Sequence, residues 1–203
     1  MVNNEESKAI ERMMKGCLLG SCVYHRDVLE STQIEAKRLA GDKTPEGTLV
    51  IARTQTKAYG RRRTAWFSPV GGLWFSLVLY PKFGPSVAEN FSLAVARSIQ
   101  STLEKNIAGI SFEVRAPNDI LAVTGSRIKK KVCGIILEGE VVEDRYNWLI
   151  LGVGLNVNNI IDESLKDTAV SLEELTGKPA SRMPLLKTVL QDLTVTYLQV
   201  ALA

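Results

Sequence analysis

The chain has one histidine, His25, and three cysteines, Cys17, Cys22 and Cys133, in 203 residues. A single imidazole argues against a histidine-ligated metal, and an odd, scattered set of thiols makes neither a disulfide framework nor a zinc spacing. Thiols used this way fit a reducing compartment, so the cytoplasm is the expected location. No stretch is long and apolar enough to span a membrane. Leu18-Leu19-Gly20-Ser21-Cys22 looks like the end of a lipoprotein signal, but Lys15 and Gly16 break the apolar run before it, and a strand leading into the domain is expected there. Charge of one sign is also scarce. The net is +3, from 25 Lys and Arg against 22 Asp and Glu, too little to imply a nucleic-acid partner by itself. Internal repeats and low-complexity segments are absent.

What is present is a core. Hydrophobic residues make up 45% of the chain, which suits a folded globular protein of one large domain or two small ones. Residues 5–16 read as a short polar helix and 22–29 as a strand. Ser31-Thr32 then offers a cap for a helix through Ala40, with Glu35 placed for a capping box. Residues 48–53 form a β-branched strand, 55–70 a polar, basic loop closed by Pro69, and 72–80 an apolar strand buried on both faces. Apolar residues at helical spacing (Val87, Phe91, Val95, Ile99, Leu103) predict a helix over 86–105. A strand over 112–115 must stop at Pro117. Two hairpins follow: 120–124 with 128–137 around Gly125-Ser126, and 132–142 with 146–157 around Glu143-Asp144-Arg145. Residues 181–202 read as a closing amphipathic helix. Antiparallel strands with few helices predict an α+β fold, a mixed and largely antiparallel sheet flanked by helices, in one domain over residues 1–203.

Two stretches propose one anion site. The loop Gln55-Thr56-Lys57-Ala58-Tyr59-Gly60-Arg61-Arg62-Arg63 offers guanidinium forks, and a glycine that lets backbone approach a phosphate. A solvated basic loop is the competing reading. Trp66 is either a core residue or a platform for a planar ring. Asn118-Asp119 after Pro117 is an ordinary turn signal, yet it stands at a strand end, where ligand contacts gather. Lys131 enters an apolar strand beside Cys133-Gly134 and either snorkels outward or points at an anion. Asn156 follows Gly152 and Gly154, which remove side chains and make room for a planar ligand.

In this order the residues resemble the catalytic domain of biotin–protein ligase (biotin–[acetyl-CoA-carboxylase] ligase). The landmarks are Glu30-Ser31-Thr32, Gln55-Thr56 with Gly60-Arg61, Trp66-Phe67-Ser68-Pro69 with Gly71-Gly72-Leu73, Pro117-Asn118-Asp119, Lys131 with Gly134-Ile135, and Gly152-Val153-Gly154-Leu155-Asn156-Val157-Asn158. Several blocks in one order are more specific than any single motif. The resemblance runs from about Leu18 to the last helix and implies a class II synthetase-like fold. It implies attack of the biotin carboxylate on the α-phosphate of Mg-ATP, then transfer from biotinyl-5′-adenylate to a lysine of a biotin carboxyl carrier protein or domain. It assigns catalysis to Arg61 and Lys131, and biotin binding to Ser31, Thr32, Gln33, Gln55, Tyr59, Gly60, Arg61, Lys131 and Gly134. ATP would be held by Arg61, Trp66, Asn118, Asp119, Lys131 and Asn156, with Asp119 on Mg2+. A homodimer is implied; a nucleic-acid or membrane partner is not.

The chain departs from the family pattern at Ala58, at Thr64-Ala65 before Trp66, at Arg115-Ala116 before Pro117, and at Gln33. These changes bear on loop closure, nucleotide affinity and turnover. The family's small C-terminal barrel and N-terminal DNA-binding domain have no counterpart in the 203 residues, so repressor function is not expected. Three other readings stand beside a ligase: a degenerate biotin-binding relative without turnover, a lipoate or octanoate ligase, and a nucleic-acid binder using Arg61-Arg62-Arg63 and Lys129-Lys130-Lys131.

Overall fold

The computed structural model describes residues 5–125 and 128–201. The expected Gly125-Ser126 turn thus falls partly outside the described residues, as does Arg127. Seven strands, β1 (Val23–Leu29), β2 (Leu49–Gln55), β3 (Leu73–Leu79), β4 (Ser111–Arg115), β5 (Asp119–Val123), β6 (Lys129–Val142) and β7 (Arg145–Leu155), form one sheet in the order β1-β2-β3-β7-β6-β5-β4. The helices are α1 (Glu5–Met13), α2 (Thr32–Gly41), α3 (Ala88–Asn106), α4 (Leu172–Thr176) and α5 (Arg182–Ala201). The fold is α+β, as the patterning predicts.

Only β1 and β2 run parallel, because α2 crosses between them; every other neighbouring pair is antiparallel. At the tip of the β6–β7 hairpin, Glu143 and Asp144 have φ of 48° and 63°. Two left-handed residues in a two-residue loop match the twist of the flanking strands. Ser31 caps α2 in extended conformation and accepts from the Gln33 amide at 3.2 Å. That cap puts Glu35 one position too late for a capping box, and its carboxylate pairs with Arg38 at 2.8 Å instead. The reciprocal box belongs to Ser171 and Glu174, ahead of α4, a helix with no sequence expectation. Residues 18–22 are a turn, not a strand: Gly20 takes φ 87° and β1 begins at Val23.

Strand alternation decides what each face carries. On β3, β6 and β7 one set, including Phe75, Leu77, Ile135, Leu151, Val153 and Leu155, faces α3 and α5 and builds the main core. The opposite face carries Val50, Val78 and Ile150 under Ala36, Leu39 and Ala40 of α2. Beyond the N-terminus of α2 that second face changes character. Its residues become Ser76, Gly134, Gly152, Gly154 and Asn156, so the helix layer gives way to a cleft.

Candidate active site

The cleft is a cavity of about 600 Å³. Its floor is set by register: Gly134 stands beside Asp119 and Gly154, and Gly152 beside Ser76 and Ile136. Ser31, Thr32 and Gln33 enter from the first turn of α2 and Gln55 from the end of β2. Tyr59, Gly60, Arg61 and Trp66 come from the loop above. Asn118, Asp119, Lys131, Gly134 and Asn156 line the far side. Every residue to which the resemblance gives a part in binding or catalysis lines this one space.

Its inner end is a buried polar relay. The Thr32 amide donates to Gln55 Oε1 at 2.7 Å, and Gln55 Nε2 to Ser68 Oγ at 2.9 Å. Ser76 donates to Gln33 Oε1 at 3.0 Å, so Thr32 Oγ1, 2.9 Å from Ser76 Oγ, must be the donor in that contact. Gln33 Nε2 reaches the Ile150 carbonyl at 3.4 Å. This bookkeeping leaves the Ser31 hydroxyl proton and one Gln55 N–H to give, and lone pairs on Thr32 and Gln33 to accept. A ring carrying a carbonyl flanked by N–H groups matches that set. Ser68 stood in a landmark block without a role and Ser76 carried no sequence expectation, although a lone serine in Leu-Trp-Phe-Ser-Leu-Val-Leu is a readable signal.

The glycines make room for the protein's own side chains. A Cβ on Gly154 would lie 2.6 Å from the Trp66 indole nitrogen, and one on Gly134 2.8 Å from the same ring; a Cβ on Gly152 would meet Gln33 Oε1 at 2.4 Å. The planar group over Gly134 and Gly154 is therefore Trp66 itself. Its Nε1–H is buried with no acceptor among the described residues, a donor left over for something else.

At the outer end the two expected cations converge. Arg61 donates to Asn118 Oδ1 at 2.5 Å, Asn118 Nδ2 donates to Asp119 Oδ1 at 3.3 Å, and Lys131 Nζ lies 2.6 Å from that same oxygen. Arg115 holds Asp119 Oδ2 at 2.6 Å, and Lys131 sits 4.8 Å from the Trp66 ring centroid. Both Asp119 oxygens are thus engaged by cations, and the described residues contain no group of three His, Cys, Asp or Glu side chains able to hold a metal. Asp119, expected to ligate Mg2+, would exchange Lys131 or Arg115 for the metal in that role. The three lysines do not make one basic surface, since Lys129 pairs with Glu113, Lys130 with the Lys166 carbonyl, and only Lys131 turns inward.

The loop is a folded hairpin. Trp66 N donates to Ala58 O at 2.9 Å and Gly60 N to Thr64 O at 2.8 Å. Ala58 is buried and has ordinary backbone geometry, so the missing glycine costs the turn nothing. Residues 159–169 form a wall that had no sequence expectation; there Asn159 Nδ2 donates to Asn156 Oδ1 at 3.2 Å and Asn159 Oδ1 accepts from Val157 N at 3.0 Å. Cys133, fully buried beneath Lys131, has its thiol pushed up to about 12 by desolvation, offset in part by Lys131, so it is no nucleophile.

The family model for the biotin/lipoate A/B protein ligases matches residues 26–156, a span that holds both the relay and the cation cluster. The chain belongs to this ligase family. The bifunctional ligase/repressor BirA of Bacillus subtilis (strain 168) is 37% identical over 181 residues, 87% of this chain and 54% of that protein. Its counterpart in Bacillus spizizenii is 36% identical over the same length. The chain spans about half the length of these curated relatives. Among solved structures, biotin protein ligase from Aquifex aeolicus in complex with biotin and ATP superposes with a TM-score of 0.74 at 33% identity, covering 89% of this chain and 72% of that one. The fold is shared with that structure over 89% of this chain.

Proposed function

We propose that this ligase-family chain activates biotin with ATP as biotinyl-5′-adenylate and passes the acyl group to a lysine of a biotin carboxyl carrier domain. One observation carries the reading: Arg61 and Lys131, from a loop and a strand far apart in sequence, meet across Asn118 and Asp119 at the mouth of a cavity whose inner end presents donors and acceptors suited to a cyclic urea. The ureido ring binds Ser31, Thr32, Gln33 and Gln55, and the carboxylate extends past Gly134 and Trp66 toward the cations. Fixed positive charge there stabilises the developing negative charge on the α-phosphate without reorganisation. Asn156 and its partner Asn159 hold the nucleotide side. Mg2+ would come with the nucleotide and offset charge on its phosphates, with Asp119 as the carboxylate that could hold it on giving up Lys131 or Arg115. A homodimer and a cytoplasmic location belong to the same proposal.

The polar relay favours biotin over lipoate, whose dithiolane has no group to satisfy it; buried polar groups left unpaired discriminate strongly. The test is mass-spectrometric detection of biotin on the acceptor lysine of a carrier domain incubated with this chain, biotin and Mg-ATP. Labelling that needs all three supports the reading; lipoyl transfer in place of biotinyl transfer overturns it.

A further inference from the structure

We infer that Asn159 is a positioning residue for the nucleotide side of the site: it turns the Asn156 amide so that Nδ2–H, and not the carbonyl, faces the cavity. The inference rests on the reading that places a nucleotide beside Asn156, while the orientation itself follows from protein contacts alone. Asn156 directly follows β7, on the face of Gly152 and Gly154, and lines the cavity. Asn159 is 2% exposed, and its side chain is bonded at both ends. Its Oδ1 accepts from the Val157 amide at 3.0 Å. Its Nδ2 donates to Asn156 Oδ1 at 3.2 Å and to the Ile160 carbonyl at 3.4 Å.

The proton directions have one solution. A backbone N–H only donates and a backbone carbonyl only accepts, so the contacts with Val157 and Ile160 fix which end of the Asn159 amide is which. A flipped amide would set N–H against N–H and oxygen against oxygen. With Asn159 Nδ2 facing it, Asn156 offers Oδ1 in return, and both hydrogens of Asn156 Nδ2 are left without an acceptor among the described residues. Asn156 is only 5% exposed, and donors buried to that degree are normally paired. The cavity therefore receives donors from Asn156, suited to a phosphate oxygen or a ring nitrogen, while its carbonyl is turned to Asn159. The ordinary reading of Asn159 is a turn asparagine that satisfies a backbone amide. That role needs Oδ1 alone, and the turn has other fastenings. Asn158 grips Ala180 through both ends of its amide, at 2.8 and 2.9 Å, and its backbone N–H donates to Gly71 O at 3.0 Å. A structural role leaves the contact from Asn159 Nδ2 to Asn156 unexplained.

Two substitutions test it. Asn159→Asp keeps the acceptor for Val157 but inverts the other end: a carboxylate oxygen there draws Asn156 Nδ2 toward itself and turns Asn156 Oδ1 to the cavity. Asn159→Ala removes the director and lets the Asn156 amide take both orientations. Calorimetric titration with Mg-ATP should give a Kd about 10- to 100-fold weaker for Asn159→Asp, the scale of a lost hydrogen bond to a charged group. Asn159→Ala should weaken it by about 3- to 5-fold, because the competent orientation is then only partly populated. In an Asn156→Ala background, Asn159→Ala should cost nothing further, since no amide is left to direct. A wild-type Kd for Asn159→Asp, or an undiminished cost of Asn159→Ala in the Asn156→Ala background, would overturn the inference; should Asn159→Asp not fold, the alanine pair decides alone. A second readout needs no nucleotide. The side-chain NH2 resonances of Asn156, assigned by their loss in Asn156→Ala, should exchange readily with water in the wild type and become protected in Asn159→Asp; equal exchange in the two would also overturn it. If the wild type binds no ATP, the nucleotide reading fails while the exchange experiment still decides the orientation.

Discussion

Replacing Lys131 with methionine keeps an unbranched stem of similar length and removes the ammonium. Two consequences separate cleanly. For stability, the variant deletes a contact of 2.6 Å to Asp119, but that carboxylate keeps Arg115 at 2.6 Å and the Asn118 amide at 3.3 Å. It is not stranded, so the loss is about 1 kcal/mol rather than the 3–5 kcal/mol of an orphaned buried charge. For a chain of this size that lowers the melting temperature by about 2–4 °C. For the reaction, one preorganised cation is gone from the site of developing charge, a loss of about 10²- to 10³-fold in rate, or roughly 3–4 kcal/mol. Single-turnover formation of biotinyl-adenylate, measured beside a thermal melt, reads both. A rate within about threefold of wild type would refute the role given to Lys131. A collapse of the melt in proportion to the rate would make the lysine merely structural.

Other outcomes follow from the same geometry. Gly154→Ala would press a methyl against the Trp66 indole at 2.6 Å and cost about 1–3 kcal/mol by overpacking, with weaker biotin binding by calorimetry; an unshifted melt would show that the ring does not rest there. Iodoacetamide at pH 8 should label the partly exposed Cys17 and Cys22 and spare Cys133, whose thiol is pushed up to about 12 by burial; mass spectrometry of the peptides checks it. Glu138 has a folded pKa below its unfolded one. Its contribution is therefore present above the usual carboxylate range and lost as pH falls through the folded value. The melting difference between wild type and Glu138→Gln should shrink on acidification through that window, and a gap that widens would contradict it.

Much of this was readable before any coordinates. β-Branched and apolar runs bounded by turn signals located the strands, and the continuous apolar run at Leu73–Leu79 correctly signalled a strand buried on both faces. The site residues were legible because small and polar types interrupt otherwise apolar strands: Gly134, Gly152, Gly154 and Asn156 each break a hydrophobic pattern. The glycines were misread only in their occupant, since a gap in a pattern says nothing about whether ligand or Trp66 fills it. Lys37 and Glu138 looked like ordinary charges on a helix face and a hairpin, and only tertiary contact joins them to Tyr59. Residues 159–169 have no periodic signal at all. The pairing of Asp119 with Arg115 and Lys131 depends on strand register that no local pattern reveals.

Biotin-dependent exchange of labelled pyrophosphate into ATP probes the shared anion site most directly. With biotin present, label should enter ATP, and Arg61→Ala or Lys131→Met should each suppress it by about 10²-fold or more. Exchange that ignores biotin, or that survives loss of both cations, would contradict the account.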